Sequence, residues 1–360
     1  MAISLRSPRA WDPELFLPAA CLALFSGIAM ASASSMVNPQ LAVRHGVWIT
    51  VGMLLSLGMA RTSYRRWGEF AWALYGVSLA ALILVLAVGA MRLGATRWLS
   101  VFGLSLQPSE LAKIATIWLL ARHLAGQPTP LPGRALGMSL LLAVPPALLI
   151  FLQPDLGSAS VLCAIWFGMV WVAGISRRTL AAGCAGLLAL APLGWHLLRG
   201  YQRDRLLAFL DPHADPLGAG YTIIQSIIAI GSGRLRGRGW FAGTQNQLSF
   251  LPERHSDFIF SVIGEEWGFL GCVVVVILFG VLLARVVRIG LGASDPQGRL
   301  LAAGVFSWLS YQTFVNLGMV TGLLPVVGVP LPLVSYGGSS MVVVWVALGL
   351  LQNVRRTSGA

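Results

Sequence analysis

Charge is scarce in this 360-residue chain: Asp, Glu, Lys and Arg together make up 11% of it, against roughly 25% in an ordinary soluble protein. So few charges cannot cover the surface of a soluble domain of this length, and an intrinsically disordered chain is excluded on the same grounds. Lysine is nearly absent, with Lys113 standing alone among the 25 basic residues. The four cysteines, Cys21, Cys163, Cys184 and Cys272, lie in apolar runs without a CxxC spacing. This excludes a disulfide scaffold and reads as small buried hydrophobes. There is no HExxH, no DxD and no GxGxxG, so neither a dedicated metal cage nor a nucleotide cradle is written in the chain. The 41 glycines and 19 prolines follow no period, and no internal repeat is visible.

What is present is apolar: AVILMFWYC residues make up 56%. About 20 apolar residues span the hydrocarbon of a bilayer. About ten such runs occur, at 15–34, 46–60, 69–91, 108–125, 134–152, 156–174, 179–198, 266–288, 299–320 and 338–354. The expected fold is an all-α integral membrane protein, with residues 1–360 forming a single polytopic domain. A large extracytoplasmic loop, 199–264, separates spans seven and eight. The first run lacks a small-residue cleavage site and reads as a retained span.

Arginines set the orientation. With a cytoplasmic N-terminus, every inner segment carries a basic pair or cluster: Arg6 and Arg9, Arg61 with Arg65 and Arg66, Arg122 and Arg134, Arg177 and Arg178, Arg285 with Arg288 and Arg299, Arg355 and Arg356. The short outer segments carry only Arg44, Arg92 and Arg97. This is the positive-inside pattern, and an even number of spans puts both termini in the cytoplasm. The net charge of +12 therefore reads as membrane bias and attraction to anionic head groups, not as nucleic-acid binding. Nine of the 13 acidic residues fall at or near the outer face. Ionisable groups there are candidates for function.

Four stretches carry the chemistry. In 250–271, Ser256 is placed to cap a helix starting near Asp257, and Asp257 and Glu265, eight residues apart, would share one face of it. Burial beside Phe258, Phe260 and Trp267 would raise the Asp257 pKa, while a helix N-terminus would lower it. Such a carboxylate can take a proton from a sugar hydroxyl; a charged interfacial cap is the plainer reading. In 94–115, Arg97 sits in an outer loop, and Glu110 and Lys113 are spaced to pair along a helix. They read either as a self-neutralising pair or as a site where the ammonium meets a phosphate. Asp155, at the turn between spans five and six, needs no role beyond an N-cap. In the long outer segment, Arg203 and Arg205 supply positive charge, Asp211 and Asp215 before prolines are turn signals, 223–231 reads as a short interfacial helix, and 231–243 as a flexible basic loop. In 316–341, Pro325, Pro330 and Pro332 break any helix within nearly continuous apolar text that ends in Ser335, Tyr336, Gly337, Gly338, Ser339 and Ser340. Irregular backbone at membrane depth must be buried in protein or line a cavity, so this reads as a partly re-entrant segment shaping a pocket.

The stretch 316–340, together with the GATRW, QPSELAK, QPDLG and LPERHSDFIFSVIGEEWG blocks in that order, resembles the SEDS proteins (shape, elongation, division and sporulation) over nearly the whole chain. Within them the chain looks most like the elongation member, with the division member next. The resemblance implies a multi-pass enzyme of the bacterial cytoplasmic membrane, a peptidoglycan glycosyltransferase that polymerises lipid II at the outer face. Its implied partner is a class B penicillin-binding protein. The family's essential aspartate maps onto Asp257, its QPSE–K block onto Glu110 and Lys113, and a basic motif onto Arg203 and Arg205. The expected reaction is an inverting transfer with Asp257 as base. Arg203, Arg205, Lys113 and Arg97 are the candidates to receive the pyrophosphate of the polyprenyl carrier, and Ser335, Tyr336, Gly337, Gly338 and Ser339 would shape the pocket. No cofactor is required outright; a divalent cation such as Mg or Mn could bridge the pyrophosphate. The competing functions are a lipid II flippase and a non-catalytic scaffold of the elongation machinery.

Overall fold

Each of the ten apolar runs folds as a helix in the computed structural model, which describes residues 11–36, 38–88, 90–92, 95–101, 104–198, 200–218 and 220–358. Arg6 and Arg9 lie outside the described residues. The ten are α1 (Pro13–Ser34), α2 (Gln40–Arg61), α4 (Ala71–Val88), α5 (Pro108–Ala125), α6 (Gly133–Leu152), α7 (Leu156–Val172), α8 (Arg177–Leu197), α12 (Ile259–Leu291), α13 (Pro296–Val320) and α14 (Gly338–Ser358). Four short helices join them: α3 (Tyr64–Glu69), α9 (Gly200–Leu210), α10 (Tyr221–Ser232) and α11 (Thr244–Gln247). By length and composition alone α1, α2, α6 and α12 suffice to cross a membrane; α4, α5, α7, α13 and α14 pack with them into one bundle. This is an all-α integral membrane protein with one small addition. Within 90–106, expected as loop, three short strands, β1 (Ala90–Arg92), β2 (Ala95–Val101) and β3 (Leu104–Leu106), form an antiparallel sheet in the order β1-β2-β3. Leu99 pairs with Leu106.

The helix α5 is buried nearly all round, as a central helix must be. It packs against α4, α6, α7 and α13, while α14 lies along α2, and α12 runs between α1 and α13. Trp118, Trp308 and Trp345 fill the interior. Not every apolar group is inside: Cys163, expected to be buried, is exposed on α7.

The helices alternate in direction, which gathers the predicted inner segments at one end of the bundle. There Asp12 caps α1 and pairs with Arg285 at 2.7 Å and Arg355 at 3.4 Å. Tyr64 bonds Asp295, and Asn353 accepts from the Tyr64 N–H at 3.0 Å. The opposite end carries the sheet, the α6–α7 turn, the segment 198–258 and the α13–α14 connection, and it is where the acidic and basic candidates meet.

The α13–α14 connection is irregular and deeply buried: Val326, Val329, Leu331, Leu333 and Val334 are core residues. Its backbone groups are met by side chains. Asn316 donates to Val329 O at 2.7 Å, Gln312 to Pro330 O at 2.8 Å, Ser26 to Val334 O at 2.5 Å, and Ser335 Oγ accepts from the Leu331 N–H at 2.7 Å. That accounting is what membrane depth demands of non-helical backbone.

Candidate active site

Asp257 ends a tight turn that feeds α12. The Glu253 carbonyl accepts from the N–H groups of Ser256 at 3.0 Å and Phe258 at 3.3 Å. The helix begins two residues later than the sequence suggests, with Phe258 at the N-cap position. Ser256 is not a cap; its hydroxyl donates to the Glu253 carboxylate at 3.0 Å. Asp257 and Glu265 therefore do not share a helix face. Glu265 serves the loop instead, accepting from the N–H groups of Gln245 and Asn246.

The turn is splinted from the α13–α14 connection. Ser335 Oγ donates to Ser256 O at 2.6 Å, the Tyr336 N–H donates to His255 O at 2.9 Å, and Asn316 Nδ2 reaches Asp257 O at 2.9 Å. Ser339 accepts from the Gln107 N–H at 3.0 Å, tying the start of α14 to the start of α5. At Gly338 the backbone lies against Trp48, where a Cβ would come within 2.5 Å of the indole. Gly337 has room by comparison, its nearest neighbour being Ser340 at 3.4 Å.

The charges around Asp257 converge from four elements. A Cβ at Gly328 would lie 3.3 Å from Asp257 Oδ2 and 3.9 Å from Arg205 Nη1, so both side chains reach the same backbone. Arg205 also contacts Val326 O at 3.4 Å. Arg97, on β2, donates to Pro154 O and sits 3.8 Å from Asp155. Asp155 caps α7 by accepting from the Ser158 N–H at 3.0 Å. Gly157 brings that helix end against the backbone of Val327 and Gly328. Asp257 keeps part of its surface open, yet burial pushes its pKa from 3.8 up to about 6, with Glu253 and then Asp155 adding and Arg205 and Arg97 opposing. Burial lowers the neighbouring His255, against the pull of Glu253.

The remaining candidates divide. Arg203 and Arg205 are two apart on α9, so they point to opposite faces; Arg203 turns back to the His196 carbonyl at 3.0 Å. Lys113 is buried with Glu110, Nζ to Oε1 at 2.7 Å, each about 1% exposed. Its ammonium also lies 5.4 Å from the Trp308 ring centroid. Trp308 donates to Gln312, which holds the Pro330 carbonyl, so the pair stands behind the site and touches it through two side chains. Asp211 and Asp215 accept from backbone N–H groups of His213 and Gly218 in local turns. Among the described residues no three His, Cys, Asp or Glu side chains are grouped to hold a metal.

The residues missed in the sequence are Gly328, Asn316, Glu253 and Asp155 as members of one site. Asn316 had a signal, a lone amide in apolar text. Gly328 had none beyond being a glycine between valines.

A polytopic helical bundle that holds a raised carboxylate and two guanidinium groups at one end defines a membrane protein built for charged chemistry. The chain belongs to the Cell cycle protein family of FtsW, RodA and SpoVE, whose profile matches residues 15–359. It is 41% identical over 344 residues to the peptidoglycan glycosyltransferase MrdB of Escherichia coli strain K12, covering 95% of this chain and 93% of that one. It is 36% identical over 361 residues to the stage V sporulation protein E of Bacillus subtilis strain 168, covering 96% and 98%. Among solved structures, it is similar to a chain from work on structural coordination of polymerization and crosslinking by a peptidoglycan synthase complex, with TM-score 0.85, 36% identity and 97% and 98% coverage. The rod shape determining protein RodA of Thermus thermophilus matches with TM-score 0.74, 34% identity and 98% coverage of both chains.

Proposed function

We propose that this chain is a peptidoglycan glycosyltransferase that polymerises lipid II, acting as one membrane domain of the bacterial cytoplasmic membrane. Both termini face the cytoplasm and Asp257 faces outward. The names of the relatives support the activity. The arginines gathered at the opposite end of the bundle support the orientation.

The observation that carries the mechanism is the meeting of Asp257 and Arg205 at Gly328. Asp257 takes the proton of the 4-hydroxyl on the acceptor sugar. That oxygen forms the new bond to the anomeric carbon of the donor, and the bond to the pyrophosphate breaks, its electron pair leaving with the polyprenyl carrier. An α-linked donor gives a β-linked strand in this single displacement. A pKa near 6 leaves Asp257 ionised at neutral pH yet more basic than an ordinary aspartate. Arg205, with Arg97 behind it, faces the charge that develops on the leaving group, and Arg203 serves the outer approach. The Glu110–Lys113 pair acts as a positioning group, through Trp308 and Gln312. Should a divalent cation take part, the pyrophosphate and water would supply its ligands alongside at most one or two carboxylates of the site.

The partner is a class B penicillin-binding protein, supported by the similarity to the chain from a synthase complex that joins polymerization to crosslinking. Purified protein incubated with lipid II tests the reading. Asp257→Ala and Asp257→Asn should form no strands, with or without Mg or Mn; strands at the wild-type rate would remove Asp257 from the reaction. A flippase would instead move fluorescent lipid II across liposomes without polymer, and a scaffold would do neither.

A further inference from the structure

At Gly268 the backbone of α12 leaves the helical region, with φ +65° and ψ −160°. A break there frees carbonyls before it and N–H groups after it, and near a bilayer protein must satisfy them. The segment 233–250 does so. The N–H groups of Arg238 and Gly239 donate to the carbonyls of Glu265 and Glu266 at 2.9 and 3.0 Å. Those of Phe269 and Leu270 donate to the carbonyls of Arg234 and Leu235 at 2.8 and 3.2 Å. The far side of the segment is clamped by carboxylates: Glu265 holds the N–H groups of Gln245 and Asn246, and Glu266 holds Ser32 Oγ at 2.5 Å and Asn246 Nδ2 at 3.0 Å. The basic loop expected to be flexible is therefore a flap fixed to α1 and α12.

The flap is fixed at depth. Trp240 Nε1 donates to Ile28 O at 3.1 Å, and Ile28 is six residues short of the end of α1 at Ser34, about 9 Å down the helix. Leu24 and Ile28 are exposed on that flank, which places the tip of the flap against the lipid-facing side of α1. Its own surface suits that place: Trp240 is 53% exposed and Leu248 63%, with Leu235, Phe241 and Phe250 also exposed. Arg234 and Arg236 are exposed among them. Aromatic and aliphatic groups interleaved with arginine match the boundary between acyl chains and head groups.

We propose that the flap 233–250 is an interfacial anchor for anionic phospholipid. Trp240, Phe241 and Leu248 seat at the acyl boundary of the nearer leaflet, and Arg234 and Arg236 hold phosphodiester groups. The anchor sets the position of the first half of α12, and with it the turn that carries Asp257. It stands independently of the transferase reading.

The test uses the full-length protein in nanodiscs containing phosphatidylglycerol or phosphatidylcholine, each with a photoreactive diazirine near the head group, and maps the labelled peptides. Labelling of 233–250 is expected in both, roughly fivefold or more stronger with phosphatidylglycerol, as two arginines near an anionic surface imply. Arg234→Gln with Arg236→Gln should bring that ratio close to one while labelling of α1 around Leu24 and Ile28 persists, which also shows that the variant is folded. A flap left unlabelled beside a labelled α1 would overturn the proposal. So would a wild-type ratio of one, or the loss of flap labelling on adding a purified cross-linking partner, which would make this a protein interface.

Discussion

Asp257 and Arg205 come from segments 52 residues apart and meet over the same glycine, Gly328, with Oδ2 and Nη1 3.3 and 3.9 Å from where a Cβ would stand. The base and the positive charge are thus registered to one point of backbone.

Gly328 is therefore the position most sensitive to a small change. It has φ +70°, a conformation that costs an L-residue roughly 1 kcal/mol or more. In Gly328→Ala the methyl must shift the Asp257 carboxylate by a few tenths of an ångström. Strand synthesis should fall by about tenfold or more, a misplacement penalty of the kind expected in an active site, while thermal unfolding shifts only by the modest strain. Lipid II turnover and a melting curve on the same preparation check both.

The pH dependence follows from the raised carboxylate. Asp257 must be ionised to act, so activity should fall as pH drops through about 6. Glu253→Gln removes a charge that raises this pKa and should move the acid limb to lower pH; Arg205→Gln removes one that lowers it and should move the limb up. A pH–rate profile of each variant measures the direction.

Stability has the opposite sign. Because the folded pKa lies above the ordinary 3.8, the folded protein binds the proton more tightly than the unfolded chain, and ionised Asp257 destabilises the fold. Asp257→Asn should raise the melting temperature above about pH 6. The gain should vanish below about pH 4, where the carboxyl is protonated in both states. Melting curves at the two pH values decide it.

Lys113→Met would leave Glu110 buried and unpaired, its Oε2 already without a partner. Loss of one member of a buried ion pair costs about 3–5 kcal/mol, so this variant should melt far below the wild type. Adding Glu110→Gln should restore most of that loss. If the pair is a positioning group, the double variant stays slow in strand synthesis although it is folded.

Ser335→Ala removes the hydroxyl that accepts from Leu331 and donates to Ser256. The buried Leu331 N–H loses its partner, at about 1–3 kcal/mol, and the half-buried Ser256 carbonyl loses one at a smaller cost. The Asp257 turn should loosen, read as faster hydrogen exchange at 252–258 and reduced turnover.

The ten apolar helices were legible because a bilayer of fixed thickness sets the length of every apolar run. Asp257 was legible as a carboxylate just ahead of a span, with the resemblance behind it. The small sheet at 90–106 was not, because its strands are too short for any alternation to register. Nor was the difference between Arg203 and Arg205: only the helical course of α9, invisible in so polar a stretch, sends them to opposite sides. The helix start at Ile259 was missed because Ser256, the obvious cap, finds a nearer acceptor in Glu253. The basic loop looked mobile because its partners, Glu265, Glu266 and Ser32, are distant in sequence.

The sequence by itself determined that this chain is an all-α membrane protein with about ten apolar helices, since that follows from local hydrophobicity. Only the tertiary structure decided which charges meet. Arg205, Asp155 and Glu253 act on Asp257 because α9, the start of α7 and the turn before α12 all meet the irregular 321–337 backbone, and Arg97 joins them through Pro154 and Asp155. At membrane depth each polar group of that backbone needs a protein partner, and satisfying all of them leaves little freedom in how the elements assemble.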